Sequence, residues 1–149
     1  MSAPGTDDLT AFMHTMIPIT AAMGVEVLEA SRTTVATRLP LAPNANHLGT
    51  SYAGSLFTAA ELLGGLLAST GLALEGAVPV VRSVTIDFRR PATGDVVARA
   101  SLEDAEIERI LATAREHGKA DFELVAEITD AEGVVVATTR GDYQLRRLH

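Results

Sequence analysis

Apolar and polar positions change period several times along the chain. Leu9, Phe12, Met13, Met16 and Ile17 recur at helical spacing behind Thr6-Asp7-Asp8. That pattern predicts an N-terminal helix within residues 1–18, capped at Thr6, with acids in its first turn and Pro18 ending or kinking it. Residues 25–29 and 33–41 read as strands joined at Ala30-Ser31-Arg32. In the second of them Val35, Thr37 and Leu39 alternate with Ala36 and Arg38. Pro43, Asn44 and Asn46 mark a loop. From residue 50 to 71 the polar face then disappears, which predicts a long helix starting at Ala53 or Gly54 and stopping around Gly71. Roughly 18 helical residues would span about 27 Å.

The remainder returns mostly to period two. Val84, Ile86 and Phe88 oppose Thr85, Asp87 and Arg89, and Pro91-Ala92-Thr93-Gly94 is a turn. Val96, Ala98, Ala100 and Leu102 alternate with Val97, Arg99, Ser101 and Glu103. Residues 106–117 carry Ile107, Ile110, Leu111 and Ala114 on one helical face, closed by Gly118. Ala120, Phe122, Leu124, Ala126 and Ile128 mark a long strand, Asp130-Ala131-Glu132-Gly133 a hairpin turn, and residues 134–145 the last strand. About six alternating strands and one wholly apolar helix suit an antiparallel sheet curled around that helix, an α+β domain. Paired glycines at 64 and 65 inside the helix imply that a strand or a symmetry-related helix packs close to it.

Composition narrows the function. The 149 residues fit one domain, residues 1–149, and 47% hydrophobic with 21% charged residues is ordinary for a globular chain. A net charge of −7 argues against nucleic acid or an anionic membrane as partner. With no cysteine, disulfides, thiolate metal sites and cysteine nucleophiles drop out. His14, His47, His117 and His149 are too scattered to suggest a metal centre. The acidic start has no basic n-region, so a cytoplasmic location is expected. Residues 55–74 approach the length of a membrane span, but Glu61 and three glycines within them argue against one.

Within residues 48–74 only Glu61 carries a formal charge. A lone carboxylate in an apolar helix is costly unless it is hydrogen-bonded, protonated or used. The helix start is the other chemical resource. Its free N–H groups and positive dipole end suit a developing oxyanion, and Ala53 and Gly54 would supply those donors. Gly54 and Glu61 share a face but lie seven residues apart, about 10 Å of rise, too far for one reacting group to touch both.

The segment Asn46-His47-Leu48-Gly49-Thr50-Ser51-Tyr52-Ala53-Gly54, with Glu61 nine residues after Tyr52, resembles the motif of the hotdog-fold acyl-CoA thioesterases of the phenylacetate-pathway type. That motif reads Asn-x-x-Gly-x-x-His-Gly-Gly followed by an acid nine residues after the His. Phe57 and Ala60 sit where the family keeps an aromatic and a small residue, and residues 83–95 are similar to its strand and turn along the acyl-CoA groove. Closer still is the thioesterase domain of YiiD-type proteins, through the Gly118-Lys119-Ala120 and Gly141-Asp142-Tyr143 segments. The likeness covers about residues 20 to 147. Tyr52 stands in place of the motif histidine and Ala53 in place of its first glycine; the N–H survives the second change, but the imidazole is lost.

The resemblance implies a hotdog fold and a homodimer or dimer of dimers, in which the carboxylate of one subunit faces the helix start of the other. It implies an acyl-CoA substrate and no separate cofactor, coenzyme A being part of the substrate. Glu61 is then the base or nucleophile, with Asn46 positioning water or the carbonyl. The expected substrate-binding set is His47, Thr50, Tyr52, Ser55, Phe57, Thr58, Ser83, Arg89 and Arg90, the arginines meeting phosphates. Each has a plainer alternative. Glu61 as a structural acid, Asn46 as a turn cap, Tyr52 as a pocket wall, Ser55 and Thr58 as partners of backbone carbonyls, and the arginines as ordinary strand-end charges all stay open. Three functions follow: an acyl-CoA thioesterase, a hotdog hydratase or dehydratase, and a non-catalytic acyl-CoA-binding module.

Overall fold

The computed structural model describes residues 4–148. In chain order come helices α1 (Thr6–Met16) and α2 (Pro18–Met23), then strands β1 (Glu26–Ala30) and β2 (Thr34–Leu39). Helix α3 (Ala53–Ala68) and strands β3 (Ala77–Phe88) and β4 (Val96–Ser101) follow. Helix α4 (Asp104–His117) and strands β5 (Lys119–Thr129) and β6 (Val135–Arg147) complete the chain. The strands form one sheet in the order β1-β2-β4-β5-β6-β3, antiparallel throughout. It is the α+β hotdog arrangement, a curved sheet around α3.

Period two explains the wrapping. Ala120, Phe122, Leu124, Ala126 and Ile128 of β5 are buried while their neighbours face outward. Opposite them α3 buries Leu56, Ala59, Ala60, Leu63 and Leu67, all in one continuous core with Val27 of β1 and Ile107 and Ile110 of α4. A buried bond from the Thr37 hydroxyl to the Ala59 carbonyl, 2.8 Å, ties β2 to α3.

The two central glycines differ. A Cβ on Gly64 would lie 2.3 Å from Cε1 of Tyr143, whose ring from β6 stacks on Phe122 with centroids 5.6 Å apart. A strand residue is therefore the close neighbour at Gly64. A Cβ on Gly65 would meet nothing within 4 Å. Gly71 allows the Arg32 carbonyl to approach, since a Cβ there would sit 1.9 Å from that oxygen.

Several expected boundaries are corrected. Residues 1–3, part of the expected N-terminal helix, lie outside those described. Gly5, not Thr6, precedes α1: it is extended, and its carbonyl accepts the Leu9 N–H at 3.0 Å. Pro18 opens α2 instead of merely ending α1, because the first helical position needs no N–H donor. Helix α3 covers Ala53–Ala68 and not 50–71; Tyr52 is its extended N-cap, and Ser69 closes it. Strand β3 starts at Ala77, ahead of the visible alternation. As an edge strand it tolerates Pro79, and its register shifts between Val81 and Ser83.

Candidate active site

The loop before α3 is held by its own hydrogen bonds. The buried Asn44 amide donates to the carbonyls of Met23 and Pro40, each at 2.8 Å. The Leu41 N–H reaches Asp95 at 2.8 Å, and that bond, with help from Arg38, holds the Asp95 carboxyl below its usual range. Oδ1 of Asn46 accepts the N–H groups of Leu48 (2.9 Å) and Thr50 (3.1 Å), and its Nδ2 donates to the Thr50 hydroxyl at 3.0 Å. Asn46 and Thr50 are thus brought together, and Asn46 organises the loop from within. Gly49, with φ at 78°, makes the tight return.

At the end of this loop the chain enters α3 with unpaired donors. The N–H groups of Ser55 and Leu56 both go to the Tyr52 carbonyl, at 3.0 and 3.1 Å. Those of Ala53 and Gly54 donate to no backbone acceptor outside the helix among the described residues. Tyr52 is 59% exposed and its ring lies against Gly54, where a Cβ would meet its Cε2 at 2.6 Å. The Thr58 hydroxyl donates to the Gly54 carbonyl at 2.9 Å, so the backbone-satisfying alternative describes it.

Two turns along the helix, Glu61 sits half-buried at a cleft of about 210 Å³ lined by Ile17, Leu62, Gly65, Pro79, Val81 and Tyr143. Burial pushes its carboxyl above the usual glutamate range, with no offsetting hydrogen bond or charge. The Tyr143 hydroxyl donates to the Glu61 backbone carbonyl at 3.2 Å. Burial, and then the Glu61 carboxylate, push the phenol upward, so it stays neutral. A carboxylate destabilised in its charged form, facing an apolar opening, is a stronger proton acceptor than one in water.

Of the residues expected from sequence, only Glu61 lines this cleft. Asn46, Thr50, Tyr52, Ala53, Gly54, Ser55, Phe57 and Thr58 belong to the loop and the first turns of α3. Ser55 is buried, Phe57 is half-buried and His47 is exposed. Ser83 lies elsewhere, donating to Asp142 at 3.0 Å on the wall of a wide groove beside α4. Arg89 and Arg90 are exposed just past β3, both backbone N–H groups donating to the Val136 carbonyl. Their side chains form no ion pair among the described residues. Sequence reasoning missed Ile17, Pro79, Val81 and Tyr143 as walls of the cleft; the paired glycines and the Gly141-Asp142-Tyr143 segment were the available signals.

Residues 6–147 match the model of a family described as "Putative thioesterase (yiiD_Cterm)". The chain belongs to this thioesterase family. A Pseudomonas aeruginosa protein of the same fold, described as a probable thioesterase, is 36% identical, with 97% of each chain covered and a TM-score of 0.90. A Shewanella oneidensis protein described as a "putative thioesterase" shares the fold at 23% identity (95% of this chain and 96% of that one, TM-score 0.80). So does a Haemophilus influenzae thioesterase at 16% identity, covering 99% and 94%, with a TM-score of 0.77. No curated protein matches the chain. No helix among the described residues is long and apolar enough to cross a membrane.

Proposed function

We propose that this protein hydrolyses an acyl-CoA, or a related acyl thioester, to the free acid and thiol. The observation that carries the reading is Glu61, a carboxylate raised by burial alone in the wall of a largely apolar cleft. As general base it takes a proton from water while the hydroxyl oxygen bonds to the carbonyl carbon. The carbonyl oxygen becomes an oxyanion held by the N–H groups of Ala53 and Gly54. Collapse breaks the C–S bond, and the proton leaves with the thiolate as free thiol. Direct attack by the carboxylate, giving an anhydride that water opens, uses the same groups.

Reach makes the site one shared between subunits. Glu61 and Gly54 are about 10 Å apart in rise along α3, so the amides facing Glu61 come from a second copy. The edge strand β3 supports such a pairing: Val80, Val81 and Phe88 are exposed on it, and Val81 also lines the Glu61 cleft. Asn46 shapes the loop that presents the helix start. Arg89 and Arg90, exposed and without ion-pair partners among the described residues, meet the phosphates of coenzyme A.

One observation favours a second reading. The Tyr52 ring lies where the motif histidine would stand and covers Gly54, which suits an acyl-CoA-binding module without turnover. Thiol release from acetyl-, butanoyl-, octanoyl- and phenylacetyl-CoA decides between them. Release above the uncatalysed rate, from a species that sediments as a dimer or larger, supports hydrolysis. Saturable binding without release supports the module, and an active monomer refutes the shared site.

A further inference from the structure

Four glycines in or around α3 raise the same question, and one has no answer among the described residues. Gly64 and Gly141 make room for the Tyr143 ring, and Gly71 for the Arg32 carbonyl. Among the described residues Gly65 makes room for nothing: none of their atoms lies within 4 Å of the Cβ it lacks, and it is exposed on the outer face of α3. A glycine in mid-helix is otherwise a weak choice, so the open space above it calls for an occupant from outside the chain.

Gly65 is also where two cavities meet. On one side is the Glu61 cleft. On the other, a groove of about 150 Å³ lies between α1 and α3, lined among others by Phe12, Met13, Met16, Leu62, Leu66 and Ser69. Ile17, Leu62 and Gly65 line both. No charged side chain lines the groove, and its outer wall keeps Phe12 and Met16 exposed by 60% and 63%. Unbranched Met side chains conform to a flexible apolar guest.

We infer that the acyl chain of the substrate passes over Gly65 into the α1–α3 groove, which makes the preferred substrates medium-chain thioesters. The inference rests on the hydrolase reading of Glu61. From Glu61 to Ser69 the helix rises about 12 Å. An extended alkyl chain with C–C bonds of about 1.5 Å advances roughly 1.3 Å per carbon, so about nine carbons fill that length. A thioester carbon held at Glu61 therefore places an octanoyl or decanoyl tail along the whole groove. Each methylene buried there is worth about fourfold in kcat/KM. From butanoyl to octanoyl that compounds to roughly two-hundredfold in favour of the longer chain.

The test places two blocks at different depths. At Gly65 a Cβ meets no described atom within 4 Å, and Gly65→Leu sends the rest of its side chain into the passage near the carboxylate; Ser69→Phe closes only the far end. The readout is the ratio of kcat/KM for octanoyl- over butanoyl-CoA, and of decanoyl- over hexanoyl-CoA. Gly65→Leu is expected to reduce both ratios by at least about tenfold, and Ser69→Phe only the second. Calorimetric binding of octanoyl-CoA and butanoyl-CoA gives the same comparison without turnover. If no thioester is hydrolysed but binding tightens with chain length and loses that trend in Gly65→Leu, the hydrolase reading fails and the groove stands. If neither ratio nor binding depends on chain length, or if Gly65→Leu lowers all substrates equally while breaking the oligomer, the space over Gly65 belongs to a second copy and the inference is overturned.

Discussion

Replacing Gly64 and Gly65 separately by alanine tests the packing around α3 at adjacent positions with identical chemistry. Helix propensity alone favours each substitution by about 1 kcal/mol. At Gly65 nothing among the described residues of the chain opposes that gain, because the new methyl group meets none of their atoms within 4 Å. At Gly64 the methyl would fall 2.3 Å from Cε1 and 2.6 Å from Cδ1 of Tyr143. That ring has little freedom to retreat. It stacks on Phe122, lies against Gly141, and its hydroxyl is bonded to the Glu61 carbonyl. Overpacking of this kind costs about 1–3 kcal/mol and sometimes more, and an approach of 2.3 Å to a held ring puts it at the upper end, so against the propensity gain Gly64→Ala should lose up to about 2 kcal/mol net. For a chain of this length 1 kcal/mol moves Tm by about 2–4 °C. Thermal unfolding should therefore place Gly65→Ala a few degrees above the parent and Gly64→Ala a few degrees below it. Equal shifts of the same sign would refute the assignment of Tyr143 as the neighbour that requires Gly64.

Two further expectations concern the site. Because burial raises the Glu61 carboxyl, the native state keeps a proton that the unfolded chain has already released, over the window between the ordinary glutamate value and the raised one. Stability therefore falls as pH rises through that window, and Glu61→Gln should be more stable than the parent above it and equal below it, in denaturant titrations at several pH values. The acid limb of the kcat/KM profile should likewise sit above the usual glutamate value, since the base works only when ionised. Asn46→Ala removes the acceptor for two loop N–H groups and should cost about 1 kcal/mol in stability. It should lower kcat more than it raises KM if the loop sets the helix start; equal stability and unchanged kinetics would remove Asn46 from the site.

Much of the architecture was legible because burial wrote itself into periodicity. The alternation from Ala120 to Ile128 is the buried face of β5, and the unbroken apolar character of α3 placed it inside the sheet. Glu61 stood out for the same reason, as a charge where the pattern allows none. Boundaries set by backbone geometry were less visible: Gly5 before α1, Pro18 opening α2, and the closing of α3 at Ser69. The first half of β3 was hidden because an edge strand shows no clean alternation, and Val80 and Val81 are both exposed. The cleft walls were illegible for a different reason. Ile17, Pro79 and Tyr143 reach Glu61 from three elements distant in sequence, and only the fold brings them there.

The central claim is that the Glu61 carboxylate activates the attacking oxygen. Its most direct test is kcat/KM for thiol release by Glu61→Gln against the parent, with the variant shown to be folded and of unchanged oligomeric size. Loss of a general base predicts a fall of about 10²–10⁴-fold, with substrate binding retained. A variant within a fewfold of the parent would contradict the claim, however well the cleft is formed.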